Sequence, residues 1–258
     1  IRDVYKRQPS DGWTTVFLEN HDQARSITRF TSDAPEHRIP GGKMLALMMC
    51  ALSGTLFIYQ GQEIGMTNFP LTWDMSEYKD VDSSNYYKMV AARTNNDPKA
   101  LEDAHRSLQH LARDHARVPM SWSTAPHNGF SPPDASAKPW MRPLEDADVC
   151  NATQQQSDKS SVLAFWKSML RVRKEYADLL VHGQYDDLAV EDAHIYVFTK
   201  TWMGKKALCL CNFTDKPREM AVPEGVRGAK RELLVSSVEG GFVEEQLKAF
   251  EGRIYLLG

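Results

Sequence analysis

The sequence predicts an α/β segment followed by a small antiparallel β domain, on three observations. Two short apolar runs, Thr14 to Leu18 and Leu56 to Tyr59, flank a helical pattern from Lys43 to Leu52. Two buried strands joined by a helix form a βαβ unit, so they should be parallel. Both runs then end in polar residues, Glu19-Asn20-His21-Asp22 and Gln60-Gly61-Gln62-Glu63. Parallel strands whose C-terminal ends carry such groups read as facing a reaction site. After Gly183 the periodicity changes to two, as strands of an antiparallel sheet require.

The elements follow in order. Gly41-Gly42 precedes the first helix and Gly54 marks its end. Residues 65–96, rich in Asp, Ser, Asn and Tyr, read as a long irregular loop. Pro98 fits the first turn of a helix to about Ala116, with Leu101, Ala104, Leu108 and Leu111 as its apolar stripe. A proline-rich irregular stretch covers 119–157. Ser160 to Tyr176 is an amphipathic helix with Val162, Phe165, Trp166, Met169 and Val172 on one face and Asp158 as a cap. The runs Ile195 to Thr199, Ala207 to Phe213, Glu232 to Val235 and Arg253 to Leu257 read as strands, with a turn at Gly204-Lys205 between the first two.

Composition narrows the function classes. A hydrophobic content of 42% supplies a core, and a net charge of -3 gives no basic field for nucleic acid. The longest apolar stretch, Met44 to Tyr59, is interrupted at Ser53-Gly54-Thr55 and is shorter than the roughly 20 residues of a membrane span. Cys50, Cys150, Cys209 and Cys211 have no zinc-type spacing and read as buried reduced thiols, which points to the cytoplasm. Asn151-Ala-Thr and Asn212-Phe-Thr match the glycosylation pattern by chance. Asp3-Val4-Tyr5-Lys6-Arg7-Gln8 resembles a translated sequencing-adapter segment, so residues 1–12 are set aside as a leader.

The run Phe17-Leu18-Glu19-Asn20-His21-Asp22-Gln23-Ala24-Arg25 carries most of the functional information. Packing alone gives a strand little reason to finish on a carboxylate, an amide and an imidazole. It resembles the fourth signature region of the α-amylase superfamily, glycoside hydrolase family 13. More closely, Glu-Asn-His-Asp-Gln-Ala-Arg-Ser-Ile-Thr-Arg-Phe resembles its fungal maltase and isomaltase branch. Tyr59-Gln-Gly-Gln-Glu-Ile-Gly is similar to the eighth barrel strand of that family. Ala112-Arg-Asp-His-Ala-Arg-Val-Pro-Met-Ser-Trp and Glu251-Gly-Arg-Ile-Tyr are similar to its later segments.

The resemblance implies the C-terminal part of a (β/α)8 TIM barrel, its last two strands and their helices, over 13–182. A small antiparallel β-sheet domain over 183–258 follows. It implies a retaining, exo-acting α-glucosidase of α-glucosidic di- and oligosaccharides, without cofactor or metal, monomeric when whole. Asp22 would be the transition-state stabiliser, because positive charge builds on the sugar ring of an oxocarbenium-like transition state. His21 would bond hydroxyls of the same ring, since a neutral imidazole both donates and accepts. Arg113 would reach Asp22 and favour its ionised form. Asp82, in Tyr78-Lys-Asp-Val-Asp, falls near the second sugar, where relatives carry Glu. Asn20, Arg25 and Arg117 would support the site, Arg25 and Arg29 as scaffold ion-pair partners.

Arg113 and Arg117 are four apart, so a continuing helix would put them on one face. Gln60, Gln62 and Glu63 read as structural polar groups. Trp73 and Tyr78 read as exposed loop aromatics, with the substrate entrance as their alternative place. The nucleophile and acid/base of the family lie on its fourth and fifth strands, which this sequence does not contain. The chain alone is therefore expected to be inactive and poorly stable. A non-catalytic transporter-associated relative and a sucrose isomerase or transglucosidase are the competing readings.

Overall fold

The structure, a computed structural model, describes residues 12–134, 138–220, 224–240 and 245–258. The leader read into 1–12 thus lies, apart from Gly12, outside the described residues. In chain order the elements are β1 (Thr15–Val16), α1 (Ser26–Phe30), α2 (Pro35–Ala51), β2 (Thr55–Leu56), α3 (Val81–Arg93) and α4 (Pro98–Leu111). Then come α5 (Ala152–Ser157), α6 (Val162–Glu175), α7 (Ala177–Leu180), β3 (Gln184–Asp187), β4 (Ile195–Trp202) and β5 (Lys205–Asn212). β6 (Arg218–Glu219), β7 (Arg231–Ser236), β8 (Gln246–Leu247) and β9 (Gly252–Leu257) complete them. They group into two compact units, one of 12–17, Thr31–Phe57 and Ala164–Gly258, the other of Leu18–Phe30 and Ile58–Leu163.

In the first unit β1 and β2 are parallel, with Thr15 opposite Thr55 and Val16 opposite Leu56. The helix between them starts at Pro35, not at Lys43. Proline suits the first helical position because its fixed φ is already helical. The glycine pair lies inside this helix: a Cβ at residue 41 would sit 2.6 Å from Thr31 Oγ1. Gly41 therefore allows a close approach and does not break the helix.

The antiparallel sheet has the order β3-β4-β5-β9-β7. Its four longest strands coincide with the four period-two runs. Trp202 pairs with Lys205, so the hairpin turn is Met203-Gly204, one residue earlier than expected. Both turn residues have positive φ, 45° and 79°, as a two-residue hairpin requires. The missed strand, β3, reads Gln-Tyr-Asp-Asp and lies at the sheet edge. Polar edge strands lack the apolar alternation that would reveal them. Cys209 and Cys211 are both buried on β5, and burial pushes the thiols of Cys50 and Cys209 up to about 12. The amides of Asn151 and Asn212 are buried, and the Asn212 amide donates to Lys216 O and Lys248 O at 2.8 Å. Neither is open to glycosylation.

Three buried arginines and lysines tie this unit together. Arg173 of α6 donates to Cys50 O, Leu52 O and Gly54 O at 2.7, 2.6 and 2.6 Å. It satisfies one carbonyl in the last turn of α2 and two in the residues that follow it. In Glu251-Gly252-Arg253 the carboxylate holds the guanidinium at 2.5 and 2.9 Å. The glycine between them faces α2, where a Cβ would meet Leu47 Cδ2 at 3.2 Å. Lys200, fully buried on β4, donates to Ser53 Oγ.

Burial lowers the Lys200 pKa to about 8, with Arg173 adding to the effect and Cys209 and Asp186 opposing it. A folded-state pKa below the unfolded one means that the charged form opposes folding. That penalty is complete below about pH 8 and disappears as pH rises toward the unfolded value of 10.5. Lys200→Met should therefore melt about 5 °C or more above the parent protein at pH 7. The gap should close by pH 10, and a gap unchanged between the two pH values would contradict the argument.

In the second unit, residues 65–96 are not one irregular stretch. They contain a 3-10 turn at Met75–Glu77 and α3. Asp80 caps α3, its carboxylate accepting from the Asp82 amide at 2.8 Å. Only Ser83 of α3 is buried, so no apolar stripe marks this helix in the sequence. The helix α4 ends at Leu111, short of Ala116, and Arg113–Arg117 is a separate 3-10 turn. Trp73 and Tyr78 are core residues, correcting their reading as exposed aromatics. Phe69 stacks on Trp73 at 4.8 Å and meets Tyr78 edge-on at 4.9 Å.

Candidate functional site

The site begins with the loop 19–25, which leaves the strand β1 and enters α1. Its two ends are fixed inside the second unit. Glu19 Oε1 accepts from the Ser26 amide at 2.8 Å and from Ser26 Oγ at 2.6 Å. Its Oε2 holds Arg25 Nη1 at 3.0 Å, and both side chains are 1% exposed. Arg25 also donates to Gln60 O at 2.8 Å, and its own amide donates to Asn68 Oδ1 at 2.9 Å. A Cβ at Gly61 would meet Met66 Sδ at 2.6 Å and Arg25 Nη1 at 3.1 Å, so glycine there makes room for the pair. Gln62 and Glu63 accept from the amides of Tyr59 and Gly61, at 3.2 and 2.7 Å, as structural polar groups do.

Between these anchors the chain turns outward. Asn20 Oδ1 accepts the Asp22 amide at 2.8 Å, and Asn20 O accepts the Gln23 amide at 3.2 Å. This side-chain turn projects the next two residues into solvent. The His21 side chain is 74% exposed and that of Asp22 43%, with His21 Nε2 at 3.1 Å from Asp22 Oδ2. Asn20 is thus a turn-former and Arg25 a buried scaffold cation.

The other oxygen of Asp22 faces two guanidiniums. Oδ1 lies 2.9 Å from Arg117 Nη2 and 3.5 Å from Arg113 Nη1. Arg117 Nε donates to His21 O at 3.0 Å, fixing the same turn through its backbone. Arg113 Nη2 reaches Asp82 Oδ2 at 2.6 Å, and Asp82 is 79% exposed. Both arginines converge from a 3-10 turn, not from one α-helical face. His115 between them is fully buried, with Nε2 at 2.9 Å from Leu108 O. Burial lowers its pKa to about 3, so it is a neutral core residue.

The sequence reading missed the residue at the centre. Asp80, buried, holds Arg113 Nη2 at 2.8 Å through Oδ1 and Arg117 Nη1 at 2.5 Å through Oδ2. Burial opposes its ionisation, but hydrogen bonds from Arg113, the Asp82 amide and Arg117 outweigh it and lower its pKa. Asp114, fully buried, sets the backbone there: Oδ1 accepts the amides of Lys79 and Asp80 at 2.7 and 2.8 Å, and Oδ2 accepts Ser83 Oγ at 2.8 Å. The available signal was the helix-capping potential of Asp80 before Val81, hidden because α3 lacks an apolar stripe. Among the described residues no group of three His, Cys, Asp or Glu is arranged to hold a metal ion. Among the same residues no helix is long and apolar enough to cross a membrane.

Residues 1–183 match the family described as alpha amylase, catalytic domain. The chain belongs to the α-amylase family. This family member is 38% identical over 252 residues to alpha-glucosidase MAL12 of Saccharomyces cerevisiae, covering 96% of this chain and 42% of that protein. It is 37% identical over 252 residues to an alpha-glucosidase of Candida albicans, covering 96% and 43%. It is also 37% identical over 253 residues to oligo-1,6-glucosidase IMA3 of S. cerevisiae, covering 96% and 42%. The chain therefore spans less than half the length of these relatives. Among solved structures it resembles trehalulose synthase MutB from Pseudomonas mesoacidophila MX-45, with a TM-score of 0.84 and 28% identity, covering 96% of this chain and 43% of that one. Isomaltulose synthase from Klebsiella sp. LX3 gives 0.84 and 27%, with the same coverage. These likenesses support a C-terminal portion of a TIM barrel, and the described residues add the small antiparallel sheet.

The buried pair beneath the site yields a stability prediction. Glu19→Ala leaves Arg25 buried without its carboxylate and is expected to lower unfolding free energy by about 3–5 kcal/mol. Urea denaturation followed by tryptophan fluorescence reads this. A loss under about 1 kcal/mol would show that the pair does not hold the loop.

Proposed function

We propose that the protein carrying this sequence is a retaining, exo-acting α-glucosidase. Its substrates would be maltose- or isomaltose-type oligosaccharides, hydrolysed at terminal α-glucosidic bonds without a cofactor. The observation that carries this is Asp22: a half-buried carboxylate beside His21, held by two arginines, in a chain 37–38% identical to proteins named alpha-glucosidase and oligo-1,6-glucosidase. Its two guanidinium contacts hold it in place to face positive charge developing on a sugar ring.

In this reading Asp22 faces the sugar ring as positive charge develops on it. His21 exchanges hydrogen bonds with ring hydroxyls, which its exposure permits. Arg113 and Arg117 orient Asp22, Asn20 shapes the turn and Arg25 anchors it. Asp82, exposed and tied to Arg113, faces the second sugar. A retaining mechanism needs two further carboxyl groups about 5–5.5 Å apart, a nucleophile and an acid/base. We assign both to residues outside these 258. The functional division is a barrel part over 13–182 and a β domain over 183–258. The whole enzyme would act as a monomer in the cytoplasm, a compartment that suits four buried, reduced cysteines.

A second reading is favoured by the likeness to trehalulose and isomaltulose synthases: isomerisation of sucrose. The test is to assay the whole protein on maltose, isomaltose and sucrose. Release of α-configured glucose from either glucoside, without a sucrose isomer, supports the proposal. Conversion of sucrose to an isomer supports the second reading, and no turnover supports a non-catalytic relative. Asp22→Asn should lower kcat at least about a thousandfold with a small change in KM. The 258-residue chain alone should turn over nothing.

A further inference from the structure

The charges around Asp22 do not balance pairwise. Among the described residues Asp22, Asp80 and Asp82 share Arg113 and Arg117, three carboxylates against two guanidiniums, a formal charge of -1 beside the His21 imidazole that meets Asp22 at 3.1 Å. The inner carboxylate, Asp80, is the one that touches both guanidiniums at hydrogen-bond distance, 2.8 and 2.5 Å. Its side chain is 4% exposed, so water screens these contacts little. Asp22 meets the same two cations more loosely, at 2.9 and 3.5 Å. Without Asp80, the two arginines would face Asp22 and a solvated Asp82. Asp22 would then be neutralised by the groups that orient it.

We infer that Asp80 is a positioning residue that takes up the positive charge of Arg113 and Arg117, so that Asp22 is held by two cations yet remains electronegative toward the sugar. The inference rests on the reading of Asp22 as a stabiliser of positive charge. Its location supports the role. Asp80 caps α3, and its amide is bound by buried Asp114, so the carboxylate cannot follow the arginines if they move. It meets Arg113 Nη2 and Arg117 Nη1, leaving Arg113 Nη1 and Arg117 Nη2 to Asp22.

The test uses the whole protein and compares a cationic with a neutral ligand. Asp80→Asn removes the charge, and asparagine caps helices as well as aspartate, so the fold should survive. Asp80→Ser, also a good cap, replaces it if that variant does not fold. Four quantities are read: kcat and KM on p-nitrophenyl α-glucoside, inhibition by protonated deoxynojirimycin, and inhibition by glucose. The neutral variant should lower kcat about tenfold and weaken the cationic inhibitor about tenfold. KM and glucose inhibition should stay within about threefold, and Asp80→Glu should recover most of both losses.

Equal weakening of cationic and neutral inhibitors would reduce Asp80 to a structural role and overturn the inference. Unchanged kcat and inhibition would overturn it as well. In both cases activity of the parent protein leaves the proposed function intact. No turnover by the parent protein would overturn that function and this inference together.

Discussion

Glu19 and Arg25 form an ion pair with almost no exposure, at the two ends of the turn that carries exposed His21 and half-buried Asp22. Glu19 uses both oxygens, taking Ser26 with the second, and Arg25 takes Gln60 O with the nitrogen that meets Glu19, while its buried Nε has no hydrogen-bond partner among the described residues. A buried pair of this kind adds little net stability relative to apolar packing, yet breaking it is costly. Its consequence is geometric. By fixing both ends of a short turn, it leaves Asn20, His21 and Asp22 one direction in which to point.

The second layer of the site is electrostatic. Asp22 is fixed by cations, which would ordinarily spoil a carboxylate meant to face developing positive charge. The surplus of carboxylates around Arg113 and Arg117 resolves that conflict. Asp114 acts one step further back: it touches neither arginine in the described contacts but holds the backbone that presents Asp80. The support for one half-buried carboxylate thus extends from the surface to a fully buried residue.

The other unit uses the same device for a different end. Arg173 gathers three carbonyls where α2 gives way to β2, and Glu251 with Arg253 brackets the glycine that lets β9 approach α2. Buried guanidiniums serve there as connectors for backbone polar groups that would otherwise be unsatisfied. Lys200 is the weaker version, a buried cation with one hydroxyl partner, and its lowered pKa reflects that.

By itself the sequence determined the elements whose signal is local. The parallel strands lie in short apolar runs, α6 and the four long strands of the sheet carry their own apolar period, and Glu19 to Arg25 carries a family-specific motif. Polar elements were not legible. α3 and β3 bury too little apolar surface to show a period, and Gly41-Gly42 looked like a break because glycine also serves close packing. Only the tertiary structure decided which residues share the site. Arg117 meets Asp22 across 95 positions of chain and Asp80 meets Arg117 across 37, and the 3-10 turn that brings both arginines together has no periodic signal. Asp80 became central because burial and long-range ion pairing, neither written in its neighbours, converge on it.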